Sequence, residues 1–119
     1  MSPRDLVYVG HMLDMAKKAT NKTQGLSRGA YDADENLRLA LTHLIQIIGE
    51  AARQVSRAFS DRHPEIPWAD IIGMRHKVVH DYLGVDEDIV WQVVTADLPT
   101  LVAALEPIVP PTPPVTNGQ

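Results

Sequence analysis

Between Asp34 and Phe59 the apolar side chains Leu37, Leu41, Leu44, Ile48, Ala51 and Val55 recur at spacings of four, three, four, three and four. That repeat draws one stripe along a helix, whereas a strand would need alternation at every second residue. Ile45, Ile47 and Ala52 widen the stripe, so this helix is expected to bury itself against more than one neighbour. Gly49 lies in its middle, where glycine costs about 1 kcal/mol relative to alanine. Close approach of a second helix would account for it. Glu50 beside it fits either a solvated face or a polar cleft.

The rest of the chain reads as helices set around this one. From about Pro3 to Thr20, Leu6, Val9, Leu13 and Ala16 share a face, with Ser2 as cap and Pro3 at the first helical position. Residues Thr20 to Gly29 read as loop. Pro64 and Pro67 enforce an extended connector, after which a third helix runs from about Pro67 into the stretch Arg75–Tyr82, with Gly84 as a good stop. Asp86 caps a fourth, Val85 and Val90 form a staple across the cap, and Pro99 is expected to kink or break the helix near Asp97–Leu98. The expected fold is all-α: an up-and-down bundle of four to five helices over residues 1–108, followed by a proline-rich flexible tail over 109–119.

Composition narrows the function. A chain of 119 residues that is 45% apolar supports a single core. A net charge of −4 argues against general coating of nucleic acid, which relies on broad positive potential. The absence of cysteine rules out a disulfide framework and a thiolate metal site. With no signal-type apolar region and no apolar run near membrane-spanning length, a cytoplasmic protein without membrane contact is expected.

Chemistry concentrates in Arg75-His76-Lys77-Val78-Val79-His80-Asp81-Tyr82. On a continuous helix Arg75, Val79 and Tyr82 would share a face, and His76 and His80 would be neighbours one turn apart. Three readings are open. In the first, the cations complement a helix C-terminus and Tyr82 packs in the core. In the second, His76 and His80 hold zinc; however, Lys77 stands where a metalloprotease needs its glutamate base. In the third, the cluster cleaves a phosphodiester without metal or cofactor. His80 would then serve as acid or base, Arg75 as a bidentate phosphate clamp and Tyr82 as a hydroxyl donor. His76 and Lys77 are candidates to orient the substrate. One protomer offers few groups for two proton transfers, so a site shared across a two-fold axis suits this reading.

The Arg-x4-His-x-Tyr pattern of Arg75, His80 and Tyr82, framed by residues 71–86, resembles the HEPN superfamily and, more narrowly, the HepT toxins. Arg4-Asp5, Ile47-Ile48-Gly49-Glu50-Ala51-Ala52, Pro64-Glu65-Ile66-Pro67-Trp68 and Asp97-Leu98-Pro99 extend the likeness to about Leu105. It implies a dimeric HEPN-like bundle acting as a metal-independent endoribonuclease toxin. Both copies of Arg75, His80 and Tyr82 would meet in a cleft at the dimer interface. It also implies a partner, an MntA-like nucleotidyltransferase antitoxin that silences the toxin by AMPylation of Tyr82. The proline-rich end is not part of the likeness.

A non-catalytic alternative is a helical adaptor that presents RNA or nucleotide to a transferase partner. The acidic balance favours it over an enzyme that grips RNA. Arg53, Arg57, Arg62 and His63 could supply a basic rim or simply a solvated face.

Overall fold

The computed structural model of the protein describes residues 3–80 and 84–110. Side-chain oxygens set most of its interior helix starts. Ser27, Asp34, Ser56 and Asp86 each accept from the backbone N–H three residues on, opening α2 (Arg28–Ala33), α3 (Glu35–Gln54), α4 (Arg57–Arg62) and α6 (Glu87–Gln92). Helix α1 spans Pro3–Thr23, α5 (Trp68–Val78) follows Pro67, and α7 spans Leu98–Leu105.

The long helices alternate in direction, as the stripe required. Asp5, near the start of α1, bonds Ser56 beyond the end of α3. Gly49, near the end of α3, meets Ile71 near the start of α5. Gly10 near the start of α1 faces Val109, beyond the end of α7. Helix α3 lies between α1 and α5, and α7 closes against α1. The core between them is aliphatic, built from Val9, Met12, Leu41, Ile45, Ile48, Val94, Leu98 and Leu105, with Phe59 and Tyr31 at its two ends. The all-α bundle is therefore the one the periodicity implied.

Three element boundaries differ from expectation. The helix read as continuous to Phe59 stops at Gln54, because Val55 turns extended and Ser56 caps α4. Part of the loop from Thr20 to Gly29 is helix: α1 continues to Thr23, and α2 starts at Arg28. Pro99 does not break the last helix. Instead a π-helical segment, Val93–Asp97, precedes it, and Pro99 falls in the first turn of α7. Widening the turn there relieves the clash between a proline ring and the carbonyl four residues earlier.

From Glu87 to Leu105 the helical run is 19 residues with mean hydropathy 1.3, long and apolar enough by length and composition to cross a membrane. That corrects the expectation that no apolar run approaches such a length. Its Val90, Val93, Val94, Leu98, Leu101 and Leu105 are buried in the bundle, the pattern of a core helix. Past α7, Ile108 and Val109 remain half-buried, and the proline-rich stretch from Pro111 lies outside the described residues.

Candidate active site

The chain from Arg75 onward leaves the helix sooner than the sequence suggested. Helix α5 ends at Val78, and Val79 is extended, its N–H donating to the Arg75 carbonyl. Two β-branched residues in succession favour that exit. Val79–His80 (β1) then pairs antiparallel with Gly84–Val85 (β2), in register Val79 with Val85 and His80 with Gly84. Gly84 has φ of 79°, so it serves the return of this short ladder rather than a helix stop. The Asp86 N–H donates to the Val78 carbonyl at 2.7 Å, tying the far side of the ladder to the end of α5.

This geometry removes the helical spacing on which two readings of the motif relied. His76 and His80 are not one helical turn apart, since His80 lies on an extended strand beyond the helix end. Val79 is likewise off the helix that carries Arg75, and Tyr82 lies outside the described residues. Among the described residues, no group of three His, Asp or Glu side chains is placed to hold a metal ion.

Arg75 and His76 project from the exposed last turn of α5. Arg28, Arg38 and Arg53 are ion-paired, whereas no carboxylate among the described residues pairs with Arg75. A guanidinium in that state is available to a phosphate. Lys77 looks another way. With Met74 and Ile71 it lines a cleft of about 440 Å³ between α5 and α6–α7, bordered by Ile89, Val93 and Leu101. Arg75 is not among that lining. The ladder brings the His80 backbone to the end of α5 that carries Arg75. Asp81 and Tyr82 lie outside the described residues.

The residues of the basic rim lie on other elements. Arg53, Arg57, Arg62 and His63 cluster around the end of α3 and α4, whereas Arg75 lies on the last turn of α5, four residues beyond the Ile71 carbonyl that faces Gly49. Glu50 is exposed and 3.5 Å from Arg53, and it also borders an open groove with Tyr8, His11, His43 and Gln54.

Beside the motif stands a polar cluster that sequence reading missed. Tyr31 is fully buried, and its hydroxyl donates to Glu87 Oε1. Arg38 Nε lies 3.6 Å from Glu87 Oε2. Arg28 pairs with Asp32 at 2.9 Å and with Asp88 at 2.7 Å. Burial, then the neighbouring Glu87, holds the Tyr31 phenol above its usual range, so it stays a proton donor. The signal available in the sequence was slight: a lone tyrosine in a short polar helix.

Residues 12–108 match the family described as Ribonuclease HepT-like. The chain belongs to the HepT-like ribonuclease family. A family member from Caldanaerobacter subterraneus subsp. tengcongensis, provisionally named as an RNase, is 32% identical over 94 residues, covering 79% of this chain and 84% of its own. Another provisionally named RNase, from Methanocaldococcus jannaschii, is 28% identical over 107 residues, covering 89% of this chain and 98% of its own. The "Probable ribonuclease HepT" of Thermococcus cleftensis is 38% identical over 73 residues, 61% of this chain and 66% of its own. No solved structure matches. Membership of this HepT-like family agrees with the HEPN-type helical bundle and with the resemblance drawn from Arg75, His80 and Tyr82.

Proposed function

We propose that this HepT-like protein is a metal-independent endoribonuclease, the toxin of a toxin–antitoxin pair, acting in the cytoplasm as a homodimer. The observation that carries the reading is Arg75, exposed and without a carboxylate partner among the described residues, at the helix end to which the ladder ties His80. In the proposed reaction the ribose 2′-oxygen attacks the adjacent phosphorus. The new O2′–P bond forms as the P–O5′ bond breaks. One His80 imidazole accepts the 2′ proton, and the imidazolium of the second copy protonates the departing 5′-oxygen. Arg75 neutralises the charge that accumulates on the phosphoryl oxygens. Tyr82 supplies a hydroxyl donor, and His76 and Lys77 are the candidates to orient the strand.

Silencing follows from the same chemistry. An MntA-like nucleotidyltransferase that attaches AMP to Tyr82 would place bulk and phosphate charge where RNA phosphate is to sit.

The test is RNA cleavage in EDTA. The wild type is expected to cut, and His80→Ala is expected to lose about a hundredfold or more in rate while keeping its fold by circular dichroism. Cleavage that EDTA abolishes would overturn metal independence. Equal inertness of both proteins would favour the adaptor reading, to which the net charge of −4 lends some support. Intact mass after co-production with the transferase reads the modification, with whole AMP increments expected on Tyr82.

A further inference from the structure

Helix α2 is six residues long, and Tyr31 is its buried residue. That side chain is the largest fully buried one among the described residues. It is carried to the start of α6, where its ring packs 5.3 Å from Trp91 and its hydroxyl reaches Glu87. Glu87 is the first residue of α6, directly after the Asp86 whose N–H bonds the Val78 carbonyl. Its second carboxylate oxygen faces Arg38 in the first turns of α3. Two elements remote in sequence from α6, namely α2 and α3, therefore reach its first residue, two positions beyond the motif ladder. A buried phenol bonded to a carboxylate is a costly arrangement for packing alone, because a phenylalanine would fill the same space without desolvating a hydroxyl.

We propose that Tyr31, Glu87 and Arg38 form a clamp that positions His80 for RNA cleavage, by fixing the start of α6 and through it the ladder Val79–His80 with Gly84–Val85. These are positioning residues. None is proposed to touch RNA. The proposal rests on the ribonuclease reading for its kinetic consequence but not for its structural one. Holding a reacting group within about half an ångström of its productive place governs turnover far more than substrate affinity. The clamp is therefore expected to act on kcat.

The experiment compares wild type with Tyr31→Phe, Glu87→Ala, Glu87→Gln and the double variant Tyr31→Phe/Glu87→Ala. Tyr31→Phe keeps the ring and loses only the hydroxyl. It is expected to lower kcat about tenfold, with KM within about twofold, well below its melting temperature. Glu87→Gln retains an acceptor for the phenol and is expected to recover most of the rate that Glu87→Ala loses. The double variant should be no slower than the worse single one, the non-additivity of groups acting as a unit.

In parallel, amide exchange at Asp86 reads the ladder without any substrate and is expected to speed up in Tyr31→Phe while amides in the middle of α3 do not. Wild-type kcat in Tyr31→Phe overturns the clamp as a positioning device. So does a loss of melting temperature accompanied by uniformly faster exchange, which marks a purely structural tyrosine. If wild type itself cuts no RNA, the ribonuclease reading fails. The clamp then stands or falls on Asp86 exchange alone.

Discussion

At the scale of single residues, the carboxylate of Asp5 shows how a side chain outside the motif holds the bundle. It is 3% exposed and accepts from the Ser56 N–H at 2.8 Å and the Ser56 hydroxyl at 2.7 Å. Ser56 in turn caps α4, so one acid ties the start of α1 to the break between α3 and α4. The backbone bond, then the hydroxyl, holds its pKa below the ordinary carboxylate range. A depressed folded value means stabilisation that is complete above the unfolded value of about 3.9 and is lost as pH falls through the folded one. Asp5→Ala is expected to cost about 2–3 kcal/mol in urea unfolding at neutral pH. The gap between wild type and Asp5→Asn should narrow as pH drops below about 4, and a gap independent of pH would remove the charge from the account. Sequence reading placed Asp5 in a first helical turn, which is correct, but nothing local says that its partner lies beyond the end of α3.

At the scale of elements, Gly49 records a close approach of two helices. A Cβ there would lie 3.2 Å from the Ile71 carbonyl oxygen and 3.6 Å from that of Ile72. Both are backbone atoms of α5, so neither can swing aside. Gly49→Ala sets a propensity gain of about 1 kcal/mol against this crowding, and its net effect should be small. Gly49→Leu must push α5 away and is expected to cost about 2–3 kcal/mol, read as a fall in melting temperature with helicity retained. A neutral Gly49→Leu would mean that α5 slides freely on α3. This contact was legible from the sequence because an isolated glycine in a strong apolar stripe needs a reason. The end of α5 was not. Arg75 to Tyr82 kept a helical apolar phase and Gly84 looked like a stop, whereas Val78-Val79 and the pairing with Gly84–Val85 draw the chain out at Val78. The break after Gln54 was hidden likewise, because Val55 and Phe59 stay in phase with the stripe while Ser56 acts as a cap. Periodicity reports which face is buried, and it is silent where two segments share a phase.

At the scale of the whole molecule, alternating helix direction sorts the polar chemistry. The turn from α3 into α4 collects Arg53, Arg57 and Arg62, while the ladder and the Tyr31–Glu87–Arg38 cluster gather where α6 begins, next to the end of α5. One protomer offers Arg75 and a single His80 for the two proton transfers of the proposed reaction. The proposed two-fold pairing supplies the second set. It carries a quantitative consequence. If a site needs His80 from both copies, mixing wild type with His80→Ala under exchange leaves activity proportional to the square of the wild-type fraction. An equal mixture should then retain about one quarter of the activity, against about one half if each protomer cuts alone. Exchange must be verified by native mass spectrometry of a tagged copy, because unmixed homodimers also give one half. A linear dependence with exchange complete would place both proton transfers in one protomer and turn attention to His76, which stands exposed beside Arg75 on the last turn of α5.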